Sequence, residues 1–216
     1  MLKKAKELVF EQPKNIRFAM HTIVHPFDGF YEMKHSGKGR FSIVFMNIVL
    51  FWISFSFLKQ YVGFPFLSRD INTMNSLIDF CVILLAFTLL CTANWSVSAL
   101  LEGEGRFKDI VMAGGYSMTP LNLLFIPATV FSRFLAEQEG TFYLIFIYAG
   151  VVWFLFLLFV GILTVHNYTM GKTAFTVLLT VLAAFVILFL GLLFITVYRQ
   201  IAGVIQSVYV ELSYRT

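Results

Sequence analysis

Five long uncharged stretches interrupt this chain, at Phe41–Leu58, Phe80–Leu101, Ile110–Ser132, Gly140–Val165 and Thr173–Tyr198, and together they take up more than half of its 216 residues. A helix crosses a bilayer core with about 20 apolar residues. Backbone polar groups find no water there, so each crossing is a helix or part of a closed barrel. These runs are continuous rather than alternating, which favours helices over barrel strands. The expected fold class is all-α: a polytopic membrane protein, a bundle of five transmembrane helices preceded by an amphipathic N-terminal cytoplasmic segment. Charged residues make up only 13% of the chain, about half the share of a soluble domain. The expected division is a leader at 1–40, a five-span domain at 41–200 and a short tail at 201–216.

The net charge of +4 invites a nucleic-acid reading, but the basic residues sit at span ends and in the leader. Headgroups and topology account for them there, and no nucleic acid is expected as a partner. With five spans the two termini lie on opposite sides. Eleven Lys and Arg fall on the side of the leader and five on the other, among them Lys59, Arg69 and Arg133. The excess of positive charge places the N-terminus in the cytoplasm and the C-terminus outside a cell membrane. The leader is polar and mixed for forty residues, unlike a cleavable signal peptide. Within it, Ile16, Ala19, Met20, Ile23 and Val24 recur at helical spacing opposite Lys14, Arg17 and His21, and Pro26 ends the run. This predicts an amphipathic helix on the headgroup layer, with Lys14, Arg17, Lys34 and Lys38 as candidate lipid contacts.

Polarity enters the membrane in one region. Asn94, Ser98 and Glu102 share a face at the end of the second span, and Gly115, Thr119 and Asn122 share one on the third. Such groups turn toward protein in lipid, as glue between helices or as a docking groove. The intervening link adds Glu104, Arg106, Lys108 and Asp109, which serve either as solvated charge at a helix end or as a partner surface. These ten residues are the candidate contacts for a membrane partner. Pro120 and Pro127 predict a kinked third span. Asn72, Thr73 or Asn75 could cap the second. Cys81 and Cys91 lie about 15 Å apart on one helix, too far to pair, and are expected to be buried small hydrophobes.

Some of these residues also bear on catalysis, metal binding, cofactor binding and transport. Gly115-Tyr116-Ser117 resembles the Gly-x-Ser of intramembrane serine proteases, and His166 could serve as its base. Bulky Met118 stands where those proteases carry a small residue, so no catalytic residue is assigned. His21 and His25 are spaced i, i+4 with His35 nearby, but no His-Glu-x-x-His accompanies them, and no metal is expected. No phosphate-cradling glycine loop followed by Lys-Ser/Thr is present, so no cofactor is expected. The span interiors carry no ionisable residue of the sort that marks a carrier, and five spans resist division into inverted repeats.

The stretch from Trp95 to Pro120 contains Glu102-Gly103-x-Gly105-x-Phe107-Lys108-Asp109 and Gly115-Tyr116-Ser117-x-x-Pro120. These motifs, with His25-Pro26-Phe27-Asp28-Gly29-Phe30-Tyr31-Glu32-Met33-Lys34 before the first span and Trp153 and His166-Asn167-Tyr168 later, resemble bacterial members of the Ypt-interacting-protein (YIP) family. The resemblance implies a non-enzymatic integral membrane protein. Eukaryotic relatives bind Rab GTPases and shape or sort membranes; this chain lacks their Asp-Leu-Tyr-Gly-Pro motif and has a shorter leader. Some Gram-positive relatives occur beside carbohydrate ABC importer components. The resemblance thus implies a scaffold or accessory subunit binding other integral membrane proteins, with such an importer's permease as the suggested partner. The alternative is a lipid-binding or membrane-remodelling protein without a protein partner. The third reading is a hydrolase using Ser117 and His166.

Overall fold

The computed structural model describes residues 16–61 and 75–215. Among these residues it has helices joined by short links and no strands: α1 (16–24), α2 (Pro26–His35), α3 (Phe41–Tyr61), α4 (Ser76–Leu100), α5 (Phe107–Ser117), α6 (Thr119–Ser132), α7 (Gly140–His166) and α8 (Met170–Arg215). A 3-10 turn, Glu137–Glu139, precedes α7. Taking α5 and α6 as one broken rod, five helices are long and apolar enough to cross a membrane. The protein is an all-α polytopic membrane protein.

The broken rod α5–α6 is the axis of the bundle. Its most apolar window is 61% buried, against 11–28% for the other four spans. Helices α3, α4 and α7 pack around it, and α8 lies on the outside against α4 and α7. The break follows from Pro120, which has no N–H and whose ring collides with the carbonyl four residues back, that of Tyr116. Thr119 Oγ1 donates to that carbonyl instead at 2.6 Å. Asn47, buried on α3, donates to Gly115 O at 3.0 Å and to Thr119 Oγ1 at 3.1 Å. The expected kink is therefore a break at Met118, with Pro120 in the first turn of α6 and Pro127 inside it.

At the far end of the bundle α3 and α4 are tied together. Lys59 Nζ meets Asp79 Oδ1 at 2.7 Å and Trp52 Nε1 donates to Ser76 O at 2.8 Å. Asn75 is the cap of α4, its Oδ1 accepting from Leu77 and Ile78 N–H; Asn72 and Thr73 lie outside the described residues. Cys91 is buried as expected, whereas Cys81 is exposed, because its position on α4 faces away from the neighbouring helices.

The leader packs on the opposite end, called here the cap end. The chain bends at His25–Pro26 so sharply that a Cβ on Gly29 would stand 2.7 Å from Thr22 Oγ1 and 2.9 Å from Thr22 Cα. From α1, Ala19 and Thr22 are buried, and Phe18 meets Tyr116 edge-on at 5.9 Å between ring centres. Ile16, Met20 and Val24 of the expected apolar face are exposed, with Phe27 and Tyr31 of α2, whereas Ala19 of that face is buried against the bundle. From α2, Phe30 and Met33 are buried, and Phe30 reaches Gly161 of α7.

Helix α8 has 46 residues, about 69 Å of rise. Thr173, Thr176, Thr180 and Ala184 are buried toward the bundle, whereas residues 185–207 are all exposed.

Candidate functional site

The polar groups of the cap end converge on His166, the last residue of α7. Its Nδ1 accepts from the Gly105 N–H at 3.3 Å, and its Nε2 lies 3.1 Å from Asn94 Oδ1. A backbone N–H can only donate, so Nδ1 is bare and the proton sits on Nε2, directed at the amide oxygen. Asn94 Nδ2 donates onward to Thr180 Oγ1 at 3.1 Å, and Thr180 donates to Thr176 O at 2.8 Å. One continuous chain of hydrogen bonds thus links the 101–106 turn, α7, α4 and α8. Every donor in it finds an acceptor, as buried polar groups in an apolar medium require.

Two glycines make this arrangement possible. A Cβ on Gly103 would stand 2.6 Å from both His166 Nδ1 and Tyr168 OH; one on Gly105 would stand 2.5 Å from Val165 Cγ1 and 2.7 Å from His166 Cε1. The Gly-x-Gly of the link therefore lays bare backbone on the His166–Tyr168 surface. Those two rings stack at 5.1 Å, Tyr168 OH donates to Leu101 O at 3.2 Å, and Lys172 Nζ sits 4.5 Å from the Tyr168 ring centre. Desolvation, and then the charge of Glu102, raise the Tyr168 phenol above its ordinary value.

The ends of α4 and α7 are built alike. Gly103 N–H returns to Ser98 O at 2.8 Å and Tyr168 N–H to Leu163 O at 3.0 Å. Both turns pass through a left-handed residue, Glu102 at φ 54° and Asn167 at φ 56°. This is the Schellman closure, for which Gly is the usual residue and Asn the common second. Glutamate is neither, and an L-residue pays about 1–2 kcal/mol there. Glu102→Gly is expected to raise stability by about 1 kcal/mol, measured by thermal unfolding in detergent; a lower melting temperature would show that the Glu102 side chain matters more than its backbone.

Between the two glycines the Glu104 side chain points out. Its carboxylate meets Lys34 Nζ of α2 at 3.2 Å. Hydrogen bonds from Lys34 and Asn167, with the Lys34 charge, hold its carboxyl below the usual range. Beside it lies a pocket of about 510 Å³ whose lining includes Phe27, Asp28, Tyr31, His35 and Thr164.

The ten candidate partner contacts divide sharply. Asn94, Ser98, Asp109 and Gly115 are buried between helices of the bundle. Ser98 Oγ donates to Trp95 O, and Asp109 Oδ2 accepts from the N and Nε of Arg106 at 3.3 and 3.1 Å. A Cβ on Gly115 would stand 2.5 Å from Val44 Cγ1. Glu102, Glu104, Arg106 and Lys108 are exposed. Thr119 and Asn122 are half-buried, and Asn122 Nδ2 donates to Asn47 O at 3.1 Å. The two polar stripes do not meet: that of α4 turns to α7 and α8, that of α5–α6 to α3. Of the candidate lipid contacts, Arg17 is exposed, Lys34 and Lys38 are paired with Glu104 and Glu32, and Lys14 lies outside the described residues. Ser117 and His166 are not bonded to each other. Ser117 Oγ donates to Ala113 O at 2.8 Å, and both His166 nitrogens are engaged elsewhere. His21 and His25 stack ring on ring at 5.0 Å.

The stretches from the leader, the link, the third span and the fourth-to-fifth turn that suggested a family thus meet at one end of the bundle. A family model described as the Yip1 domain matches residues 20–193. The chain belongs to the Yip1-domain family. Comparison with curated proteins and with solved structures gave no match. The Yip1 domain spans α1 from Met20 onward, all of α2 to α7, and the half of α8 that touches the bundle. Its short motifs acquire physical reasons here: the link glycines seat His166 and Tyr168, Gly115 admits Val44, and Pro120 breaks the axial helix. Asn47 and Thr180 escaped sequence reasoning. Asn47 had a signal, since it is a lone amide in the apolar run Phe45-Met46-Asn47-Ile48. Thr180 had a weaker one, in the i, i+3, i+7 row Thr173, Thr176, Thr180.

Proposed function

We propose that this Yip1-domain protein is a non-enzymatic scaffold or accessory subunit that docks other integral membrane proteins at its cap end. The supporting observation is the rigid display of Glu104. Its backbone is pressed on both sides against His166 and Tyr168, while its carboxylate stands at the rim of a mixed-charge pocket with Lys34, His35 and Asp28. A preorganised charged surface loses little entropy on association. The basic residues of the chain support a cell-membrane protein with this end in the cytoplasm and the C-terminus outside. The permease of a carbohydrate ABC importer is the partner suggested by the bacterial resemblance. The Gly103–Gly105 seat and the internally satisfied His166 support a structural rather than a catalytic role for the node.

The test is copurification from native membranes in several mild detergents, followed by mass spectrometry. A membrane-protein partner should be recovered with the wild type and lost with Glu104→Lys, an exposed change that leaves the glycine seat intact. Recovery of a lone monomer in every detergent would refute the reading. A second reading, lipid binding or membrane remodelling without a partner, is favoured by the exposed apolar stripe Ile16, Met20, Val24, Phe27 and Tyr31. It predicts liposome binding that weakens when Met20 and Val24 become serine.

A further inference from the structure

The pocket of about 510 Å³ beside Glu104 has one wall from α2 and another from the end of α7, at Thr164 and Asn167. That end finishes a membrane-spanning helix, so the pocket lies where the bundle leaves the hydrocarbon, at headgroup depth. Asp28, Tyr31, His35 and Glu104 are exposed around it.

Several of its donors are already engaged within the protein. Lys34 Nζ is held on Glu104 Oε2 at 3.2 Å. Thr164 Oγ1 donates to Val160 O at 2.8 Å. His35 Nδ1 lies 3.1 Å from Tyr31 O; a carbonyl only accepts, so Nδ1 carries the proton and Nε2 of the neutral ring is bare. Acceptors are left over: that nitrogen, the lone pairs of Thr164 Oγ1, and the carboxylate of Asp28. Asp28 has no hydrogen bond or ion pair among the described residues. Its place in the first turn of α2 favours a carboxylate but leaves both oxygens open.

The charges agree. Two carboxylates, Asp28 and Glu104, line the pocket against the single ammonium of Lys34, and the carbonyl end of α7 adds partial negative charge. A phosphate would bring only acceptors, the kind of group already in surplus. The walls suit a flat cation. Tyr31 stacks on His35 at 4.2 Å between ring centres, and Phe27 lines the same pocket. A guanidinium stacks on aromatic faces and carries five N–H donors in its plane, whereas an ammonium is a compact point charge.

We propose that this pocket takes the guanidinium of an arginine presented by a docked membrane protein, with its N–H groups on Asp28 and its plane against the Tyr31 ring. This deepens the docking reading of the cap end and rests on it. With that end in the cytoplasm, the neighbouring ends of other membrane proteins carry the excess of Lys and Arg typical of that side. One exposed carboxylate–guanidinium pair is weak, so a single arginine should bind only in the millimolar range, with the surrounding surface supplying the rest of the affinity.

The experiment uses the full chain in maltoside micelles and N-acetyl-arginine methylamide as the probe, read by saturation-transfer NMR against empty micelles. Binding should saturate with a millimolar dissociation constant. The analogue with citrulline in place of arginine keeps the shape and loses the charge, and it should bind about tenfold more weakly. Asp28→Asn should weaken the arginine probe by a similar factor. Glu32→Gln makes the same change of charge on α2 outside the pocket, where Glu32 meets Lys38, and should leave binding within about twofold. The assignment is overturned if the arginine probe gives no signal above empty micelles, if the citrulline probe binds equally, if Asp28→Asn has no effect, or if Glu32→Gln weakens binding as much. It is also overturned if phosphatidylethanolamine added to the micelles displaces the probe, which would give the pocket to a lipid headgroup. Docking and the arginine site fail separately. A partner that copurifies while the probe does not bind removes the arginine and leaves docking; a bound probe with no copurifying partner removes docking and leaves the guanidinium site.

Discussion

Alanine at position 103 or 105 is expected to destabilise the fold by about 2–3 kcal/mol, the cost of forcing a methyl group into a packed site. At Gly103 the new carbon would stand 2.6 Å from His166 Nδ1 and Tyr168 OH, and at Gly105 it would stand 2.5 Å from Val165 Cγ1. Neither neighbour can retreat easily. The His166 ring is fixed by hydrogen bonds at both nitrogens and Tyr168 by its bond to Leu101 O. The backbone must lift instead, which breaks the Gly105–His166 bond and loosens the chain from Asn94 to Thr180. Thermal unfolding in detergent should show a fall of roughly 5–10 °C. The molecule contains its own control, since a Cβ on Gly171 or Gly203 meets nothing within 4 Å. Alanine there should leave the transition unchanged or raise it, because it favours the helix. Equal melting of all four variants would show that the link does not press on His166.

Asn47→Leu is the second large effect, about 2 kcal/mol. It removes the two bonds that reach the break in the axial helix, to Gly115 O and Thr119 Oγ1, and the side-chain contact from Asn122. Interhelical hydrogen bonds in membranes average about 0.6 kcal/mol each, and a carbonyl left bare at the break adds a desolvation cost. Asn47→Asp separates the two contributions. It keeps the shape and loses the donors, so it should be as damaging as leucine in an SDS unfolding titration. An aspartate variant as stable as wild type would mean that Asn47 acts by packing alone.

The spans were legible because hydrocarbon demands long uncharged helices, and the break in the third was legible because proline cannot complete the ladder at Tyr116. The faces carrying Asn94 and Ser98, and Gly115, Thr119 and Asn122, were legible from periodicity. Their neighbours were not. Periodicity says which residues share a face but not what that face meets, so nothing foretold that α4 would bond to α7 and α8 while α5–α6 turned to α3. The leader shows the same limit. Its apolar residues 16, 20 and 24 share the stripe expected to face lipid and are exposed, but that pattern did not say that Ala19 and Thr22 would be buried against the bundle. The role of His166 was hidden for a related reason. Its partners Gly105 and Asn94 lie 61 and 72 residues away, and the local sequence suggested a base for Ser117.

Helix α8 outruns the bilayer. With headgroups included, a membrane is about 40–45 Å thick, against some 69 Å of rod. Even leaning at about 40°, the upper end of the usual range, the rod still covers more than 50 Å along the membrane normal. Its terminal turns, with Ile205, Tyr209 and Tyr214 exposed, are thus more rod than a single crossing consumes, like a mast longer than the deck it passes through.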